Sequence, residues 1–368
     1  MAEIRAVRKH PCPACGGDAE WDAARQTLAC PYCGTIVPWQ NGETPFGAGI
    51  VEHDLEEALR RVPADRKGLG TQKRAVRCES CHAISLFDPE RAAQRCEFCG
   101  SPEIVPVENP EDVITPESLL PASVPAPRVR DLLREWYGSR WFAPGRLKRL
   151  ALTDTLHGIY LPYWTFDAHA HAVWEAQSGY YYYVTEHVRD ANGRMVARQV
   201  QKIRWVPSSG ALDHFFDDDL VPGSVGVHLK LLRSVEPFPT LDGLKPYDPA
   251  YVRGWTVERY RVDLRQAAGM NREQMDAALY QLCSRQVPGD THRGLNVSAH
   301  YQGRTFKHIL VPVWLVSYTY GRRSFQVVVN GVTEKIAGER PYSWVKILFA
   351  VLAVLTAIAL VIYFKGQS

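Results

Sequence analysis

The chain has 368 residues, 46% hydrophobic and 23% charged, an ordinary globular mixture long enough for two or three domains. Its net charge of +3 is too close to neutral to argue by itself for a polyanionic partner. The opening MAEIRAVRKHPCPACGG has no apolar run of the secretory kind, so the nine cysteines are expected in a reducing compartment, where clusters read as metal sites and not as disulfides.

In chain order, Cys12 and Cys15 are followed after fourteen residues by Cys30 and Cys33, and the pattern returns as Cys78, Cys81, Cys96 and Cys99, each 66 positions after its counterpart. Zn²⁺ takes four thiolates in a tetrahedron with Zn–S about 2.3 Å, and two C-x-x-C knuckles across a short hairpin supply them. Gly16, Gly34 and Gly100 follow second cysteines, where a left-handed backbone lets amides point at sulfur; His82 holds that place in the remaining knuckle. Trp21 and Phe87 sit at equivalent positions to cap each small core. The expectation is two structural Zn²⁺ ions: zinc ribbon 1 over 8–40 on Cys12, Cys15, Cys30 and Cys33, and zinc ribbon 2 over 74–106 on Cys78, Cys81, Cys96 and Cys99. An iron centre and a redox dithiol are the alternatives, and four thiolates leave no open position for a catalytic zinc.

Residues 1–110 carry 13 Lys+Arg against 16 Asp+Glu, where a phosphate-binding module is usually basic. The local exception is 60–77, with seven basic residues and one acidic, within the expected linker 41–73 and running into ribbon 2. It reads first as a solvated linker and second as a contact for anionic lipid or nucleic acid. Seven prolines between 102 and 127 predict an extended linker over 107–127. A helix is expected around 127–138, with Val129, Leu132, Leu133 and Trp136 at helical spacing.

Residues 128–341 read as an α+β domain rich in antiparallel strands. HGIYLPYWTFDA (157–168) and KHILVPVWLVSY (307–318) share I-x-[LV]-P-x-W at a displacement of 150, which suggests an internal duplication. Each copy runs into alternating segments: YYYYVTEHV and MVARQVQKIRWV joined by RDANGR, then RSFQVVV and VTEKIAG joined by Asn330-Gly331, a strong hairpin signal. Between the copies a helix is expected with Asn271 as its cap, Gln274 three residues on, and an apolar stripe of Met275, Ala278, Leu279, Leu282 and Cys283. Cys283 therefore reads as a core residue.

Residues 347–364, ILFAVLAVLTAIALVIYF, are uncharged and, with Trp344 and Val345, reach the ~20 residues that cross a bilayer. The sequence therefore predicts one C-terminal transmembrane helix over 344–364. More Lys and Arg precede it than follow it, which by the positive-inside rule puts the N-terminal domains in the cytoplasm and the short tail outside a cell (inner) membrane.

Chemistry-bearing motifs are sparse: there is no P-loop, H-E-x-x-H, G-x-S-x-G or dinucleotide fingerprint. Asp167, His169 and His171 share one strand face that could hold a metal, but a polar strand face is the better reading. Asp217, Asp218 and Asp219 read as a solvated loop, and Tyr180 to Tyr183 as sheet surface.

The CPACGG…CPYCG ribbon, the P-x-W strand starts, VNGVTEKIAGERPYSW and the apolar C-terminus together resemble bacterial membrane-anchored zinc-ribbon proteins. The chain departs from that pattern in its second ribbon and at Glu334, where a glycine is common. The resemblance implies no enzyme activity. It implies association with SPFH-type and phage-shock-type scaffolds of membrane-stress assemblies. The expected function is a non-enzymatic, tail-anchored adaptor that holds protein partners at the cytoplasmic face of a lipid bilayer, with homo-oligomerisation left open. The alternatives are a membrane-associated nucleic-acid binder and an enzyme with an unrecognised site in the β domain.

Overall fold

A computed structural model describes residues 10–38, 50–61, 74–81, 83–87, 96–98, 101, 104–107, 114–140, 156–189, 195–320 and 323–365. Most of the basic stretch 60–77, Cys99, Gly100 and His82 lie outside these. A small antiparallel sheet comes first, of β1 (Glu20–Asp22), β2 (Thr27–Ala29) and β3 (Ile36–Val37). Then follow β4 (His53–Asp54), α1 (Leu55–Arg61), β5 (Arg74–Cys78), β6 (Ile84–Phe87), β7 (Ile104–Val107), β8 (Ser118–Leu119) and α2 (Ala126–Gly138). Two long strands, β9 (Leu156–Arg189) and β10 (Met195–Pro222), precede α3 (Leu229–Val235), α4 (Thr240–Gly243), β11 (Lys245–Pro246) and β12 (Thr256–Glu258). Helix α5 (Leu264–Gln286), β13 (Thr291–Tyr320), β14 (Arg323–Asn330), β15 (Ile336–Gly338) and α6 (Trp344–Lys365) complete the chain.

The duplicated motifs form the middle of the large sheet. Strands β9 and β13 pair antiparallel, with Leu161 opposite Val311, so equivalent residues of the two copies face each other across a local two-fold axis. The symmetry extends outward. Strand β8 lies parallel to β13 with Ser118 opposite Ile309, and β12 lies parallel to β9 with Thr256 opposite Ile159. Each short strand leads into a helix, α2 or α5, and each long strand into a hairpin partner, β14 or β10. The copies lock through their tryptophans: Trp164 Nε1 donates to the Val262 carbonyl (2.9 Å), and Trp314 Nε1 donates to the Val124 carbonyl (2.8 Å). Gly223 and Gly331 repeat the relation, donating to the carbonyls of Pro162 and Pro312 at 2.8 and 2.9 Å.

Residues 159–168 are buried on both faces, which is why this part of β9 is nearly all apolar, with Thr165 and Asp167 its polar members. From Ala168 to Ala176 burial alternates, and Ala168, Ala170, Ala172 and Ala176 let Met275, Leu279 and Cys283 of α5 pack close. Cys283 is a fully buried core residue whose thiol burial pushes up. Helix α5 starts earlier than the Asn271 cap expected from sequence. Asp263 accepts from the Gln266 amide (2.8 Å), and the Gln266 side chain returns the bond, a capping box at Asp263. Asn271 is buried within the helix and donates to Asp219 (2.7 Å).

Three further segments differ from the sequence reading. Leu119, Leu120 and Ala122, within the expected linker 107–127, are fully buried, because β8 pairs with β13 and the prolines fall where no ladder bond is needed. Asp217–Asp219 form a bulge in β10, with Asp218 at φ 51° and buried against Lys307 (2.7 Å). The hairpin expected at Asn330-Gly331 forms, with β14 antiparallel to β15, but its loop is longer than a two-residue turn: the buried Asn330 side chain accepts from the amides of Val332 and Thr333, and the Asn330 amide donates to the Lys335 carbonyl (2.8 Å). Glu334 there takes φ 61° and ion-pairs with Arg128 (2.6 Å).

The transmembrane helix expected over 344–364 is corrected. The segment does form helix α6, but among the described residues no helix is long and apolar enough to cross a membrane.

Two outcomes are expected. Trp164→Phe and Trp314→Phe each leave a buried carbonyl without its indole donor and lower stability by about 1–3 kcal/mol, similarly for the two, in urea unfolding. The His308 imidazole is buried between Trp164 and Tyr260 with Nδ1 2.9 Å from the Ile114 carbonyl, and burial lowers its pKa from 6.5 to about 4. The unfolded chain binds this proton first, so the stability His308 supports is complete above pH 6.5 and falls towards pH 4. The loss reaches up to about 3 kcal/mol. The wild-type urea midpoint should fall relative to that of His308→Phe as pH drops from 6.5 towards 4, with a constant difference between the two above 6.5.

Candidate metal centres

Ribbon 1 is built on its own three strands, with Trp21 opposite Leu28 and Leu28 opposite Val37. Trp21, Leu28 and Val37 are buried, a core too small to hold a fold alone. At each end of this sheet a knuckle is closed by backbone bonds. Cys12 N–H reaches the Gly17 carbonyl (2.7 Å) and Cys30 N–H the Thr35 carbonyl (2.9 Å), while Gly16 and Gly34 donate back to the carbonyls of Cys12 and Cys30, both at 2.9 Å. Gly16 and Gly34 stand at φ 77° and 74°, where a side chain is strained.

The knuckles bring Cys12, Cys15, Cys30 and Cys33 together with their sulfurs all within 4.8 Å of one another. Cys12 to Cys33 and Cys15 to Cys30 are both 3.5 Å. A tetrahedron with metal–sulfur bonds of about 2.3 Å has edges of about 3.8 Å, so the sulfurs stand close to the spacing such an ion sets. The Thr35 hydroxyl (3.2 Å) and amide both bond the Cys33 sulfur and draw that thiol down to about 6, while the neighbouring sulfurs of Cys30 and Cys33 push Cys15 up, opposite shifts of thiols sharing one cluster. The set fits a tetrahedral, thiophilic ion.

Ribbon 2 repeats the local geometry in another setting. Cys78 N–H reaches the Ala83 carbonyl (3.0 Å) and Cys96 N–H the Ser101 carbonyl (2.8 Å), so all four knuckles close from the first cysteine to the residue five positions on. Cys78, Cys81 and Cys96 are gathered, with Cys81 3.6 Å from Cys96, as Cys15 is from Cys30 at 3.5 Å. The fourth expected ligand, Cys99, lies outside the described residues.

The two centres differ in what surrounds them. Strand β6 pairs with β12, so ribbon 2 is an extension of the large sheet. Phe98, between its last two cysteines, is fully buried, and its carbonyl accepts from Ser317 and from Gln326 Nε2 (2.7 Å). Ribbon 1 keeps its own sheet but packs Trp21, Leu28 and Val37 into one apolar cluster with Leu119, Tyr251 and Trp255 of the body; Trp21 Nε1 (3.1 Å) and Gln26 Nε2 (2.7 Å) both donate to the Ala122 carbonyl. Its outer knuckle is open, with Cys15 and Cys33 exposed, Tyr32 81% exposed and Ile36 54%.

Asp167, His169 and His171 do not assemble into a metal site. Asp167 is buried, accepts from the Asp218 amide (2.6 Å) and Thr305 (3.0 Å), and is pushed up to about 6 by burial. His171 turns to Asp213 (2.6 Å), and His169 packs on Phe215. A buried ionic cluster that sequence reasoning missed lies nearby: Lys307 binds both Asp218 (2.7 Å) and Glu52 (3.1 Å), tying the β10 bulge to residues far earlier in the chain. Alternation of Lys307 with apolar neighbours carried no signal for it.

No family model matches the chain, and no solved structure matches it. It is similar to "Uncharacterized protein YdjG" of Bacillus subtilis (strain 168), 23% identical over 346 residues that cover 92% of this chain and 91% of that protein.

Metal analysis of the purified chain should find two equivalents. Cys30→Ser should hold one fewer, whereas Cys283→Ser, a change remote from both clusters, should keep both.

Proposed function

We propose that the chain is a non-enzymatic zinc-ribbon adaptor, with two structural Zn²⁺ ions and a protein partner bound on ribbon 1. The observation that carries this reading is the contrast between the centres. The first cysteine of each described knuckle is buried in both ribbons, but Phe98 of ribbon 2 is fully buried, whereas its counterpart Tyr32, 66 positions earlier, is 81% exposed beside Ile36. The four thiolates of ribbon 1 leave no open coordination position for catalysis, which favours a structural ion there. An exposed aromatic on a rigid, metal-braced turn is a suitable interface anchor. Among the described residues 10–38, Asp18, Glu20 and Asp22 stand against Arg25, which argues for a protein partner and against nucleic acid.

The partner class to test first is the SPFH-type or phage-shock-type scaffold that the sequence resemblance implies. Tyr32→Ala combined with Ile36→Ser should retain both zinc ions and the unfolding temperature, and should weaken binding to a purified scaffold of that class by on the order of 10-fold or more. Binding unchanged in this variant would sink ribbon 1 as the contact. Tight binding of duplex DNA or RNA with a steep salt slope would replace the adaptor by a nucleic-acid reading.

A further inference from the structure

The two copies differ most where β9 and β10 run on beyond the body. The pairing of β13 with β9 reaches only as far as Thr291 opposite Gly179. From there Tyr180–Arg189 and Met195–Arg204 continue as a two-stranded ribbon, paired from Tyr180 opposite Arg204 to Arg189 opposite Met195. Such a ribbon is marginal in water, because neither face has anything to cover it. Here both faces carry apolar side chains. Tyr181, Tyr183 and Ile203 stand on one face, 43%, 64% and 40% exposed; Tyr182, Val188 and Val196 stand on the other, 45%, 41% and 46% exposed.

The charge on the ribbon is one-sided. Its described residues hold Arg189, Arg198, Lys202 and Arg204 against the single carboxylate Glu186, which Lys202 engages at 2.8 Å. Arg204 lies over the Tyr180 ring, 5.8 Å from its centroid. The order along the ribbon is graded: Val188, Met195 and Val196 are at the far end, the tyrosines nearer the body, and cations among them.

We propose that this ribbon is a docking surface for an anionic lipid surface, a contact independent of the zinc ribbons. A second copy of the chain would set like charges against each other. A protein groove or a nucleic-acid groove covers one face of a ribbon and leaves the other in water. The interface of a bilayer surrounds both faces: the valines and Met195 enter the headgroup and acyl boundary, tyrosines sit at headgroup level, and Arg and Lys reach the phosphates. Beyond Tyr181, whose amide donates to Asp290 (2.7 Å), the outer edges of the ribbon pair with no other described strand, so it lies at the depth where water and phosphate can satisfy its backbone and does not enter the hydrocarbon.

The test uses the full chain and sedimentation with two vesicle types, phosphatidylcholine alone and phosphatidylcholine with an equal part of phosphatidylglycerol. Because α6 also exposes apolar side chains, a local reporter is needed: Met195→Cys labelled with an environment-sensitive dye, with labelling at this position confirmed by peptide mapping. The wild type should partition more strongly onto the anionic vesicles, the Met195 label should shift to the blue there, and added salt should weaken both. Arg189→Gln, Arg198→Gln and Arg204→Gln together should reduce partition on the order of 10-fold or more, with the circular dichroism spectrum unchanged. The proposal is overturned if the triple variant partitions as the wild type does, or if the label stays in water while the chain sediments, the result expected of α6 acting alone. Preference for duplex DNA or RNA over anionic vesicles would overturn it equally.

Discussion

The antiparallel pairing of β9 with β13 about Leu161 and Val311 is the contact on which the rest of the molecule depends. It brings together two segments far apart in sequence and leaves both covered on each face, so every other element is placed relative to them. On one outer edge of the pair lie β12 and then the strands of ribbon 2; on the other lie β8, β4 and β14. The tryptophans that follow each P-x-W start then reach across the axis, each to the carbonyl of a residue leading into the other copy's helix. The copies therefore stabilise each other, and neither half has a complete core of its own.

This arrangement explains why two cysteine clusters of one design have different surroundings. Ribbon 2 shares a sheet with β12, and the Phe98 carbonyl is held by two side chains of the second copy, so its metal would brace the body. Ribbon 1 keeps a sheet of its own, whose apolar side chains share a cluster with the body while its outer knuckle stays open to solvent. Metal at that position would stiffen a surface, and Tyr32 is the side chain that surface offers. The extension of β9 and β10 past the end of β13 adds a second exposed surface of opposite character, basic where ribbon 1 is slightly acidic. Ribbon 1 and this extension therefore present two surfaces unlike in charge, each on a different sheet.

Parts of this were legible in the sequence for a local reason. A C-x-x-C knuckle closes through bonds within six residues, so Cys12, Cys15, Cys30 and Cys33 could be grouped from spacing alone, and Cys78, Cys81 and Cys96 follow the same rule. The β9–β10 hairpin and α2 were readable from alternation and helical spacing. The cap of α5 was misplaced because Asn271 offered the same local signal as Asp263, and only the packing of Asn271 against Asp219 separates them. The C-terminal segment showed the opposite error: composition gave a spanning helix, whereas the described residues of α6 contain no run long and apolar enough to cross a membrane.

The sequence by itself determined what chemistry is bound in short stretches: two thiolate clusters, a repeated I-x-[LV]-P-x-W strand and a charged, tyrosine-rich hairpin. Tertiary structure alone decided how these are used. It set the repeats face to face, folded the proline-rich segment into the core at Leu119 and Leu120, buried Lys307 against Asp218 and Glu52, and sank one ribbon while leaving the other exposed. The reason is separation along the chain. A knuckle or turn is fixed by neighbours within a few residues, whereas burial of a strand face depends on partners a hundred or more positions away, which no local pattern names.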